Sequence, residues 1–403
     1  ARKLALASER TPVVKETPKS VILLWLEGGP SQLETFDPHP GSKIGGDTQA
    51  IATTIPGTDV AANLPRTAEQ LHRATLIRSV VGKEGDHARA VYTIKAGYRP
   101  DPTLVHPSIG SILCQADDRG ADIPRHVSIL PGNSPARGGY LGAKYDAFKT
   151  GDPVRPVPDV IAKVSDDRFT RRLADLRQIV EPEFARGRLA EIDRQRTLHQ
   201  TSTSAAEVMM SSEQLSAFDV SAEPKAVREA FGDSAFGRGV LAASRLIEVG
   251  VRCVEVTLGG WDSHVNNAGL QASACEKLDP AIAALLERLD ERDQLDSTLV
   301  VVAGEFGRTP QINAALGRDH WVHGFSVLMA GCGIRRGHVH GATSSEEPGE
   351  KPEEAVVQPV TIGDLHATIL ERLGVDPAQE IETPISRPLA RSEGKVITSL
   401  LDV

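Results

Sequence analysis

Short, nearly unbroken apolar runs alternate along the chain with stretches that carry apolar residues at helical spacing. Runs of that kind, bounded by glycine or polar residues, predict strands buried on both faces of a parallel sheet. They fall at residues 21–26 (VILLWL), 74–81, 126–130, 252–258, 299–303 (LVVVA) and 325–330. Helical spacing predicts helices over 64–73, 88–97, 106–116, 236–249, 277–293 and 362–373, the last ended by Gly374. The alternation implies an α/β class with a mostly parallel sheet. Residues 166–200 are strongly charged, with Phe169, Leu173 and Leu176 at helical spacing. They read as exposed helices within an insertion at about 155–235. Residues 152–158, rich in proline, mark a connection, and 202–204 and 211–212 read as loop. Residues 337–359 are acidic and contain glycine and proline, which predicts a mobile surface loop. Residues 1–19, polar with Pro12 and Pro18, read as a loose arm or the remnant of processing, leaving 20–403 as one α/β domain.

A length of 403 residues suits one such domain with insertions. The net charge of -9 argues against a general nucleic-acid binder. No apolar stretch is long enough to span a bilayer. Cys114, Cys253, Cys275 and Cys332 are scattered without a CxxC pair and read as isolated buried thiols. Trp25, Trp261 and Trp321 all fall within the stretches that carry candidate chemistry.

That chemistry collects where strands should end, which is where open α/β sheets bind ligands. Glu27 follows the first run and is trailed by Gly28 and Gly29, which permit a tight turn and a close backbone approach to a ligand. Ser31 is a candidate nucleophile in the same loop, without a GxSxG elbow around it. Asp86 is placed to cap the helix that follows residues 74–81, with His87 in its first turn. Asp262 and His264 stand two apart after the run at 252–258. A carboxylate plus an imidazole suits zinc, manganese or iron. Residues 304–323 (GEFGRTPQINAALGRDHWVH) add Glu305, Arg308, Asp319, His320 and His323. The bland alternative for each loop is a salt-bridged strand end or a solvated turn. Taken together, acidic and imidazole groups from separate strand ends suit a two-metal hydrolytic site.

These stretches give the chain a family resemblance. LEGGPSQLETFDPHP from Leu26, AFDVSAEPKAVREAFG from Ala217, GGWDSH from Gly259, GEFGRTP from Gly304, GRDHW from Gly317 and TIGDLHATILERLGVDP from Thr361 resemble an exported, sulfatase-like bacterial family of unknown function. More broadly, the chain resembles the alkaline phosphatase and sulfatase superfamily. The resemblance implies a three-layer α/β/α sandwich, alkaline phosphatase-like, with a helical insertion, and an exported protein, periplasmic or extracellular. It implies metal ligands at Glu27, Asp262, His264, Glu305 and His320, and less directly at Asp319 and His323. His87-Ala-Arg-Ala resembles the start of the sulfatase nucleophile helix, with His87 in the nucleophile's place. The absence of Cys or Ser there argues against a formylglycine mechanism. His87 is then a metal ligand, a nucleophile or acid/base, or the mark of a branch that has lost the parent chemistry. Phe306 replaces an expected His or Asn ligand, which leaves a single metal or a rearranged second site. Arg89 and Arg308 either pair with a substrate oxygen or form structural ion pairs.

The expected function is metal-dependent hydrolysis of a phosphate or sulfate ester, on an anionic small-molecule or polysaccharide substrate. One or two divalent ions are implied, zinc foremost, then manganese, iron or calcium. The alternative is a non-catalytic binding or scaffold protein recognising an anionic or carbohydrate ligand.

Overall fold

The computed structural model describes residues 19–117, 121–134, 136–157, 160, 163–180, 209–210 and 212–402. Its centre is a nine-stranded sheet. In chain order the strands are β1 (Ser20–Glu27), β2 (Ala74–Val81), β3 (His126–Ile129), β4 (Phe148–Thr150), β5 (Cys253–Gly259), β6 (Thr298–Ala303), β7 (Phe325–Ala330), β8 (His338–His340) and β9 (Val360–Thr361). Across the sheet they run β8-β2-β7-β6-β1-β5-β3-β4, with β9 also paired to β2. All pairings are parallel except those of β7, which runs against both β6 and β2. The sheet is therefore mostly parallel, as its apolar runs foretold.

Residues of β1 alternate between two cores. Ile22, Leu24 and Leu26 face one, and Val21, Leu23 and Trp25 face the other. Helices on both sides make this necessary, because a sheet covered on both faces has no polar side. On the Trp25 side lie α1 (His87–Ala96), α2 (Ile109–Ala116) and α5 (Ile362–Arg372). On the Leu24 side lie α3 (Ala235–Glu248) and α4 (Asn267–Glu291). The result is a three-layer α/β/α sandwich. The four cysteines are free and buried.

Several expectations are corrected. The helix expected over 277–293 starts ten residues earlier, as α4. Its first turns lack an apolar stripe but bury Gln271, which accepts from Ser31 N at 3.0 Å and donates to Trp261 O and Ser263 Oγ. Polar anchoring of that kind leaves no periodic signal. The helix expected from 106 starts at Ile109, and His106 instead stacks on Tyr98 with ring centroids 4.2 Å apart. The loop expected over 337–359 contributes β8 to the sheet and pairs Ala342–Thr343 with Val356–Val357. These segments are too short for a period to show. Of the charged insertion, Asp166–Asp175 is a helix as expected. Residues 181–200 and 202–204, and nearly all of the amino-terminal arm, lie outside the described residues.

Beneath α1, Lys95 Nζ meets Glu255 Oε1 of β5 at 2.9 Å, both nearly sealed from solvent. Lys95 also donates to Ser134 O and lies over the Trp25 ring. This buried pair fixes the helix whose first residue is His87.

In the same layer, α5 buries His366 with no partner for either ring nitrogen. Burial, helped by His106, pushes its imidazole down to about 3. Between about 6.5 and 3 the unfolded chain therefore binds a proton that the folded chain does not. Stability falls as pH falls through that window. From pH 7.5 to 5.5 this group alone should cost about 1.4 kcal/mol. Urea unfolding at both pH values should show a smaller pH dependence in His366→Leu than in the parent; an identical dependence would refute the assignment.

Candidate active site at the carboxyl edge of the sheet

The register places the candidate groups side by side. In β1, Glu27 stands opposite Gly259 of β5, and Trp25 opposite Ala303 of β6. The loops carrying Glu27, Asp262 and Glu305 thus leave the sheet at one edge. Because β7 is reversed, its beginning lies at that edge too, and Gly82 N donates to Val322 O at 2.7 Å. This brings in residues 319–323 and, after β2, the start of α1.

Gly28 (φ +118) is needed there, since a Cβ would lie 2.5 Å from Asp262 N. The close approach it permits is therefore to the neighbouring loop's backbone. Asp86 caps α1 by accepting from Arg89 N, and Gly97 closes it in the left-handed conformation.

At the centre lie three imidazoles and Asp262. His87 Nδ1 is 2.7 Å from Glu305 Oε1. His264 Nδ1 is 2.7 Å from Asp319 Oδ1. His320 Nδ1 is 2.8 Å from Gly85 O. Carboxylate and carbonyl oxygens only accept, so each ring donates through Nδ1, and in a neutral ring the lone pair then lies on Nε2. Those lone pairs converge. The Nε2 atoms of His264 and His320 are 3.0 Å apart. Asp262 Oδ1 is 3.1 Å from His264 Nε2 and 3.4 Å from His320 Nε2. Asp262 Oδ2 is 3.4 Å from His87 Nε2, a buried atom without a hydrogen-bond partner. Ligating atoms of His87, Asp262 and His320 all lie within 4.8 Å of one another.

Electrostatics follow from these contacts. The Glu305 hydrogen bond, opposed by burial, raises the proton affinity of His87. Burial pushes His320 down, toward the neutral ring. Burial works against ionisation of Asp262, but the hydrogen bond and charge of Arg308 hold its carboxyl below the usual range. The His264 hydrogen bond does the same for Asp319. Glu305 is sealed, receives Gly28 N at 2.9 Å, and leaves Oε2 without a partner. Phe306 is fully buried, with ring centroids 4.9 Å from His87 and 4.4 Å from His320.

The remaining candidates stand apart. Glu27 accepts from Asn133 N at 2.8 Å and faces the loop after β3, where a Cβ on Gly132 would strike its carboxylate. His323 lies edge-on to Trp321 and outside the group of converging atoms. Ser31 is fully buried, with Oγ unpartnered, so the expectation of a nucleophile there is withdrawn. Arg89 pairs with Glu84. Arg308 is fully buried and spends its guanidinium on Gly28 O, Gly29 O, Arg318 O and Asp262 Oδ1. Both arginines thus make internal ion pairs, Arg308 fully buried and Arg89 about half exposed. Gly85 O and Asn313, which donates to His264 O at 3.0 Å, were missed because a carbonyl and a loop amide carry no pattern. A cavity of about 710 Å³ lies elsewhere and is lined by Val154, Phe218 and Arg238; it holds none of these groups.

The family model described as Protein of unknown function (DUF1501) matches residues 18–401. No curated protein matches the sequence. Among solved structures, Ps i-CgsB is similar at 9% identity and a TM-score of 0.42, over 89% of this chain and 73% of that one. The PsFucS1 sulfatase from Pseudoalteromonas sp. is similar at 11% identity and a TM-score of 0.41, over 89% and 68%. The alkaline phosphatase from the Antarctic bacterium TAB5 is similar at 15% identity and a TM-score of 0.39, over 89% and 99%.

Replacing Arg308 by Met would orphan three carbonyls and free Asp262. The expected loss is about 3 kcal/mol or more, read from urea denaturation. Arg89→Met, at an exposed ion pair, should leave the urea midpoint nearly unchanged. A negligible loss at Arg308 would return it to the list of free, substrate-facing groups.

Proposed function

This chain belongs to the family described as Protein of unknown function (DUF1501), and within it we propose a metal-dependent hydrolase holding one divalent ion among His87, Asp262, His264 and His320. One observation carries the reading. Ligating atoms of His87, Asp262 and His320 lie within 4.8 Å of one another and His264 Nε2 lies 3.0 Å from His320 Nε2, a concentration of acceptors that the Arg308 guanidinium on Asp262 Oδ1 meets at one end only and that a divalent cation would satisfy. The spacings of 3.0–3.4 Å among His264 Nε2, His320 Nε2 and Asp262 Oδ1 are near the edge of a tetrahedron of zinc ligands, about 3.3 Å for bonds of about 2.0–2.1 Å, and His87 Nε2 approaches the other Asp262 oxygen at 3.4 Å. Each ring also donates its other nitrogen to a carboxylate or carbonyl, the usual bracing of metal-bound histidines.

When bound, the ion supplies Lewis acidity to an ester oxygen and acidity to a water. The chain's own groups orient and exclude. Glu305, Asp319 and Gly85 O fix the three rings, Arg308 fixes Asp262, and Phe306 walls the inner side. Asp262 and His264, roughly half exposed, leave the outer side open to substrate. With Ser31 buried, the nucleophile is a water. The phosphate or sulfate ester class rests on the resemblance of the motifs, as does export; among the described residues no helix is long and apolar enough to cross a membrane.

A second reading is a non-catalytic protein that binds an anionic or carbohydrate ligand. It is favoured by the full burial of Arg308, whose guanidinium is committed to internal partners.

Elemental analysis of protein purified without chelator should find about one zinc, manganese, iron or calcium per chain. Asp262→Ala should lose the ion, and Asp319→Asn should weaken zinc binding about 10- to 100-fold. No ion, even after soaking at neutral pH, would overturn the metal reading. A panel of aryl phosphates, phosphodiesters and sulfates separates enzyme from binder: turnover lost with EDTA and restored by metal excludes the second reading, while metal binding without turnover on any ester favours it.

A further inference from the structure

Nine large apolar side chains are exposed among the described residues, and four of them, Val265, Leu270, Ile312 and Leu316, lie on two short segments. Both segments run out of the stretches that carry the converging groups. Val265 follows His264 directly, and Leu316 precedes Asp319 and His320 by a few residues. The segments are clamped together. Asn266 N donates to Ala315 O at 3.2 Å and Asn267 N to Leu316 O at 2.8 Å. Asn313 Oδ1 accepts from both Ala315 N and Gly317 N at 2.9 Å, and Gly317 lies against the His264 carbonyl.

Within this rigid rim, Leu316 is held at φ +56 with 71% of its surface exposed. Asparagine or glycine takes that backbone at less cost than leucine. A buried leucine would recover the strain by packing; this one does not. Neither folding nor solubility accounts for an apolar side chain here, and strain of this kind concentrates at functional sites.

We propose that the rim formed by residues 265–270 and 312–316 is a subsite for an aryl or alkyl group of the substrate, bonded to the anionic centre that the His/Asp cluster takes. The inference rests on the metal-site reading above and narrows it to esters with an apolar substituent close to the anion. We take the occupant to be part of the substrate because the rim begins one peptide bond from His264, whose half-exposed side chain opens the cluster on that side.

The test is calorimetric binding of phenylphosphonate and methylphosphonate to the zinc-loaded chain. Phenylphosphonate should bind about tenfold tighter, from burial of part of its ring. In Leu316→Asn, and in the double variant Val265→Thr with Leu316→Asn, that ratio should fall to within about twofold. Asparagine suits the left-handed backbone, so the Leu316→Asn variant should melt no lower than the parent. Equal affinities in the parent, or a preference retained in the double variant, overturn the inference while leaving the metal site standing. Zinc binding with neither phosphonate bound overturns it together with the ester reading. Failure to bind zinc overturns the metal reading itself.

Discussion

Parallel pairing of β1 between β5 and β6 is the constraint on which the rest depends. Three neighbouring strands that run the same way must release their loops at one edge. The register sets Glu27 against Gly259 and Trp25 against Ala303, so the carboxylates that follow them emerge within one neighbourhood. Gly28 then lets the first loop lie directly on the backbone of Trp261 and Asp262. Any side chain at that position would push the β1 and β5 loops apart and spread the site.

Within that frame, the site is a problem of surplus acceptors. Folding aims three Nε2 lone pairs and a carboxylate at one another. The Glu305 hydrogen bond, on the far side of the ring from Asp262, raises the proton affinity of His87. The groups outside the convergence hold it in place. Arg308 is sealed among backbone carbonyls, and Arg318 runs from Glu34 to the carbonyls of Thr309, Pro310 and Ile44. Two buried guanidiniums therefore brace the loop that carries Asp319 and His320. Neither is available to a substrate.

Phe306 decides the character of the inner wall. Its ring fills the space under Gly29 and touches both His87 and His320. An apolar ring there limits solvent access to the imidazoles and offers no ligating atom. Glu27 is drawn instead to the loop after β3 by Asn133 N. Among the described residues, the converging atoms accordingly form one group rather than two.

The sequence by itself determined six of the nine strands of the sheet, because strands buried on both faces must be apolar throughout and long runs of that kind cannot hide, whereas the two- and three-residue strands at 148–150, 338–340 and 360–361 carry no such run. It also determined that Glu27, Asp262 and Glu305 stand at strand ends, and that Asp86 begins a helix at His87. The tertiary structure alone decided who meets whom. The reversal of β7, the partner of each Nδ1, the burial of Ser31 and the sealing of Arg308 all depend on contacts between residues far apart in the chain. Side-chain direction at a loop is set by whichever distant donor or acceptor packs against it, and no local pattern encodes that choice. Thus Asp319 and Glu305, chosen from sequence as ligands, meet His264 Nδ1 and His87 Nδ1, while His87 Nε2 lies 3.4 Å from Asp262.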